Sequence, residues 1–399
     1  MNSVVRQLWE QDTDIVMVDT GNSYEGLCEY VNGKYISYTE EHPITMNPFR
    51  IKREELNIEK IGFLKNLIML IWKGTQGTVT KTEDKLIEQT ITEYFDEYFS
   101  KGTIENLCFN TFYEFSIKRI PEICNENHLV GIDLAAYNYL LKDFYKGGHH
   151  EVTLNEDLDT ALFDETFIVF EIDSIKDDPL LFPLVTLIIM DVFIQKMRIK
   201  KNRKCLVIEE AWKAIASPMM AEYIKYLYKT ARKFWASVGV VTQEIQDIVG
   251  SPIVKEAIIN NSDVVMLLDQ SKFRERFDDI KAILGLTDVD CKKIFTINRL
   301  DNKEGRSFFR EIFIRRGTVS AVFGVEEPHE CYMTYTTERA EKEALKLYKR
   351  ELCCNHQQAI EAYCRDWELS GISKSLPFAQ KVNQAGHVLN LKPTKKKFQ

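Results

Sequence analysis

Short runs of unbroken apolar residues recur along the chain at Asp14–Val18, Thr166–Ile172, Cys205–Ile208, Ser237–Val241 and Asp263–Leu268. Runs of this length without polar alternation predict strands buried on both faces. Helical patterns separate most of them, which predicts a parallel sheet with helical crossovers. A later pair, Phe309–Arg315 and Thr318–Phe323 around Arg316–Gly317, predicts a hairpin at the edge of that sheet.

Nearly 150 residues separate the first two strands, too many for a simple crossover. The three-and-four spacing of apolar positions there predicts helices over Ile61–Lys73, Thr82–Phe99, Asn110–Ile120 and Leu134–Tyr145. The economical account is an all-helical subdomain (residues 56–160) inserted between a first core segment (1–55) and the remaining core (161–335). Beyond Thr334 the pattern becomes charged helix, expected to end near residue 372. Residues 373–399, with Pro377, Pro393 and Lys395–Lys397, are expected to form a flexible basic tail.

Bulk properties narrow the class. A chain of 399 residues exceeds what one core usually supports, and 45% apolar content is ample for burial. The net charge of −8 excludes a generally basic surface, so any nucleic-acid contact needs a local patch. Nine cysteines occur without a CxxC pair or zinc-type spacing, which fits a reducing compartment. The start, MNSVVRQLWEQD, is not expected to act as a signal peptide, since Arg6 interrupts a short apolar stretch. The longest apolar runs, Ile61–Trp72 and Leu180–Phe193, are too short and too interrupted to span a bilayer. No integral membrane span is therefore expected.

Candidate chemistry clusters at strand ends. The stretch KCLVIEEAW (Lys204–Trp212) delivers Glu209 and Glu210 to the carboxyl end of a buried strand, where open α/β sheets bind ligands. In nucleotide hydrolases that place holds an acid that orders Mg2+ and a carboxylate that orients the attacking water. Glu at the start of a helix, favoured by the helix dipole, explains the pair equally well when taken alone. The next strand ends in Thr242–Gln243, and Gln243 is placed to hydrogen-bond the attacking water or a γ-phosphate. Arg232 and Lys233 in TARKFW suit either a helix C-terminus or an arginine finger offered to a phosphoryl group. Asp19 ends the first strand ahead of Gly21, a turn that sets backbone N–H groups and a carboxylate at the rim of a cleft.

The chain resembles the TraG family of conjugation ATPases from Bacteroides-type conjugative elements, relatives of the type IV secretion motor ATPases. The resemblance spans most of the chain and rests on Val18–Glu29, Phe167–Met190, Ile208–Phe234, Val240–Asp263 and Leu267–Thr287. It implies an α/β fold: a RecA-like P-loop NTPase core with a mainly parallel sheet, the inserted helical subdomain and a helical C-terminal extension. It also implies ATP and Mg2+ as cofactors and a homo-oligomeric ring. Other conjugation subunits become the expected partners, at the cytoplasmic side of a bacterial inner membrane. By position, Glu209 matches the acid that holds Mg2+ through water, and Glu210 the catalytic carboxylate. Arg232 and Lys233 match the family's basic pair and Gln243 its sensor glutamine; Asp19, Gly21 and Thr242, at strand ends, are the candidates to contact the nucleotide.

No GxxxxGK[ST] occurs in the 399 residues. Gly74–Gly77 and Gly147–Gly148 lack the Lys-Ser/Thr pair, and neither is expected between a strand and a helix. That loop supplies the backbone cradle, the phosphate-binding Lys and the Mg2+-binding hydroxyl. In the family it lies just before the segment that opens this chain. The expectation is a C-terminal motor portion of a longer ATPase, inactive alone. A non-catalytic assembly subunit of the conjugation machinery and an FtsK-like DNA translocase or coupling protein are the alternatives.

Overall fold

A computed structural model describes residues 1–157, 159–210, 218–242, 258–299, 309–389 and 391. The chain forms two compact units, one of residues 12–21 and 36–258, the other of residues 1–11, 22–35 and 259–399.

The first unit is built on β1 (Thr13–Asp19), β3 (Phe167–Glu171), β4 (Arg203–Glu209) and β5 (Ala236–Val241), together with the last two residues of β2 (Lys34–Ser37). Their order across the sheet is β2-β3-β1-β4-β5, and the pairs β1–β3, β1–β4 and β4–β5 are parallel. Every residue of β1 and β3 is buried, as their unbroken apolar runs predict. The helix Leu181–Ile199, buried over most of its length, packs on β1. Four of the five expected parallel strands are present.

The fifth is not where the pattern placed it. Val264–Leu267, here β6, joins a separate antiparallel sheet with β7 (Phe309–Arg316) and β8 (Val319–Glu326), in the order β6-β7-β8. Exposure alternates along β6, the signature of a strand covered on one face only. The hairpin supplies its pairing partner, so it does not edge the parallel sheet as expected. The unexpected strand, β2, is only four residues long and partly exposed, and it carries no apolar run.

The inserted helices occur at Ile58–Lys73, Lys81–Lys101, Phe109–Glu126 and Leu134–Leu141. Thr80 caps the second of these through a reciprocal capping box with Glu83. Burial opposes ionisation of Glu83. Hydrogen bonds from Lys73 and from the Thr80 backbone and hydroxyl outweigh it and hold the carboxyl below its ordinary range. A depressed carboxyl contributes stability above its unfolded pKa of about 4.3 and loses it as pH falls through the lower folded value. Denaturation midpoints should therefore fall as pH drops through and below about 4.3, and Glu83→Gln should flatten that slope. An unchanged slope in the variant would assign it to other carboxylates.

The C-terminal helices lie in the other unit. The charged helical stretch divides into Arg339–Glu351 and His356–Ser370, with Cys353 at φ 46° between them and Asn355 capping the second. The residues expected to open a flexible tail instead form the helix Ser375–Ala385, whose Phe378, Ala379 and Val382 are fully buried against Tyr348 and Tyr363. Pro377 masks this helix in the sequence, although proline is tolerated in the first turn. Lys395–Lys397 lie outside the described residues. Among the described residues, no helix is long and apolar enough to cross a membrane.

Candidate functional site

Strand register assembles the site. Asp19 pairs with Glu171 across β1 and β3, and Glu209 pairs with Val241 across β4 and β5. Val18 pairs with Ile208, so the next residues, Asp19 and Glu209, continue the same row. Three adjacent parallel strands thus end in Glu171, Asp19 and Glu209, all at the carboxyl edge where α/β sheets take ligands. Asp19 and Glu171 are buried, while Glu209 and Glu210 are half-buried.

Each carboxylate is held differently. Glu171 accepts a hydrogen bond from the Asp173 amide at 2.8 Å, and Asp173 is paired with Lys176 at 2.9 Å. Beside them, burial pushes the Tyr38 phenol above its ordinary value, with Asp178 and Glu40 adding to the effect. Glu210 turns out of the strand at φ 49°, a left-handed conformation that costs an L-residue about 1–2 kcal/mol. This bears on the helix-start reading of the pair, because an N-cap adopts extended rather than left-handed backbone.

The structure sorts the expected site residues into two groups. Asp19, Gly21, Glu209, Glu210 and Thr242 follow or end the carboxyl edge of β1, β4 and β5. Gly21 is exposed, whereas Asp19 is deeply buried rather than standing at a rim. Arg232 and Lys233 sit in a short 3-10 turn ahead of β5, at the opposite edge of the sheet. Strand β5 has six residues. At about 3.3 Å per residue, it keeps the basic pair roughly 20 Å from the acids of its own chain. Gln243 lies outside the described residues. Gly74 caps the helix Ile58–Lys73 ahead of another helix, and Gly147–Gly148 precede the helix Glu151–Asn155. Neither glycine pair joins a strand to a helix.

Glu171 is absent from the residues that the sequence singles out. Its signal is present there, since FIVFE ends an apolar run in a carboxylate just as CLVIE does. Only strand order shows that the two endings share a row.

Mg2+ and ATP can be tested against these side chains. Among the described residues, no group of three or more carboxylates, imidazoles or thiols is placed to hold a metal ion unaided. A Mg2+ carried by water and triphosphate oxygens needs fewer protein ligands, and a half-buried acid such as Glu209 suits that outer role.

Comparisons with known proteins place this geometry. The family model described as the TraG P-loop domain matches residues 1–367. The TraC protein of Escherichia coli K12 is 22% identical over 251 residues, 61% of this chain and 27% of TraC. The match therefore spans about a quarter of that relative's length. The structure of VirB4 from Thermoanaerobacter pseudethanolicus superposes with a TM-score of 0.59 at 18% identity, covering 82% of this chain and 85% of that one. The bacterial conjugative coupling protein TrwBdeltaN70 gives a TM-score of 0.51 at 11% identity, covering 82% and 81%. These likenesses show the fold, a RecA-like P-loop NTPase core.

Proposed function

The chain belongs to the family of TraG P-loop domains, and from that premise we propose that it is the motor portion of a conjugation ATPase coupling ATP hydrolysis to type IV secretion. The observation that carries this reading is the end of β4. An interior parallel strand delivers Glu209 and then the left-handed Glu210 to the carboxyl edge, beside the Thr242 end of β5.

In this reading Glu210, the first residue past the end of β4, takes the proton of the attacking water. Glu209 would help hold Mg2+ through water, with Asp19 and Glu171 next to it in the row of strand ends. Mg2+, when bound with ATP, neutralises charge building on the phosphoryl oxygens. Thr242 and Gln243 contact the γ-phosphate end of the nucleotide. Arg232 and Lys233, at the far edge, serve the site of the next protomer in a homo-oligomeric ring. The ring works with other conjugation subunits as a peripheral assembly at the inner membrane.

The 399 residues contain no GxxxxGK[ST], so we propose that they hold ATP too weakly to turn it over by themselves. Fused behind a family relative's P-loop strand and helix, the chain should hydrolyse ATP. Glu210→Gln should then lower turnover by about 10²–10⁴-fold, the usual contribution of a positioned base. Turnover that ignores Glu210→Gln would remove this assignment.

A further inference from the structure

The amino edge of the parallel sheet carries a side chain that folding does not explain. Trp235 is 73% exposed and sits at φ 57°, ψ 38°, a left-handed conformation that glycine or asparagine adopts at least cost. Neither burial nor backbone preference favours tryptophan there. Its main chain is fixed, because the Trp235 carbonyl accepts from the Lys204 amide at 3.0 Å. Lys204 pairs with Ala236, which sets Arg203 beside Trp235 at the head of the β4–β5 ladder.

Cations share this edge with the indole, Arg203 by register and Arg232 and Lys233 by the turn just before it. Lys201, Arg203, Arg232 and Lys233 are exposed, and none has a carboxylate partner among the described residues. Other cations of this edge are committed elsewhere, Lys200 to Asp164 and Lys196 to Asp14. The exposed acid of this edge nearest in strand order is Asp12, ahead of β1 and on the other side of β4 from Trp235. In a chain of net charge −8, four uncommitted cations beside an exposed indole form the local patch that phosphates and a base require.

We propose that this edge is a nucleotide-contacting surface, in which the Trp235 indole stacks on a base while Lys201, Arg203, Arg232 and Lys233 take phosphates. It goes beyond the finger role of Arg232 and Lys233 by adding base recognition and two further cations. That chemistry has two sources, a single-stranded nucleic acid or a free nucleoside triphosphate.

Fluorescence anisotropy of labelled oligo-dT and labelled ATP, titrated with the 399-residue chain over a salt series, separates them. The oligonucleotide should bind, with a log–log salt slope of about −0.7 per phosphate contact. Trp235→Ala should weaken binding about ten-fold or more, with Trp235→Phe retaining most of it. Arg203→Ala should reduce the slope by roughly one contact. Both side chains are exposed, and an unchanged melting temperature shows that the variants fold. ATP binding as tight as the oligonucleotide's, and lost in the same variants, assigns the surface to the mononucleotide. Binding of neither probe, or binding that Trp235→Ala and Arg203→Ala leave unchanged, overturns the proposal. The readout is ligand binding, which needs no ATP turnover, so its failure is distinct from failure of the motor assignment.

Discussion

Arg232→Ala protomers mixed with Glu210→Gln protomers should recover ATP turnover that neither has alone, in the form that carries a P-loop. The expectation follows from strand direction. Strands β4 and β5 run parallel; the acids end β4 and the basic pair precedes β5. Roughly 20 Å of strand lies between them, beyond the reach of an arginine side chain. If the pair acts on a phosphate held at the β4 acids, those acids belong to a neighbour. Arginine fingers supplied in trans contribute about 10³–10⁵ in turnover, so Arg232→Ala alone should be nearly inactive. Random assembly of an equimolar mixture places an intact finger against an intact acid at about a quarter of heterologous interfaces. Recovery towards about a quarter of wild-type turnover is the expected result. Differently tagged subunits that co-purify as mixed rings yet remain inactive would eliminate the trans arrangement.

That separation is legible in the order of residues alone, because TARKFW precedes its strand and Thr242–Gln243 follow it. Buried strands are legible for the same kind of reason, since β1, β3 and β4 are apolar on both faces and announce themselves. What stays hidden depends on pairing. β2 is too short and too exposed to differ from loop, and the antiparallel partner of β6 is set by a hairpin more than forty residues away. Glu171 looks like any acid after a strand until register aligns it with Asp19 and Glu209. The Trp235 patch needs two further facts that no pattern of residues carries, a left-handed backbone and the exposure of the indole.

Buried charge in the core is equally hidden, and it sets the largest stability effect. Asp14→Ala should destabilise the chain by about 3–5 kcal/mol, the usual cost of leaving a buried charge without its partner. Asp14 begins as an ordinary strand residue and Lys196 as an ordinary helix residue, yet both are buried and their charges meet at 2.9 Å. Lys196 donates also to the Phe163 and Glu165 carbonyls, so its three protons all have acceptors on the loop before β3 and on β1. Asn202 donates to the other Asp14 oxygen at 2.7 Å. Lys204 lies close by, its ammonium pushed below the ordinary range by burial, with Asp14 opposing that shift and Lys196 adding to it. Removing Asp14 leaves the buried Lys196 and Lys204 without that anion. Adding Lys196→Met should restore most of the loss, because a buried pair replaced by apolar side chains of similar volume is often neutral. Chemical denaturation of the single and double variants measures both numbers. If Asp14→Ala costs under about 1 kcal/mol, water reaches the pair and the buried network does not hold helix, loop and strand together.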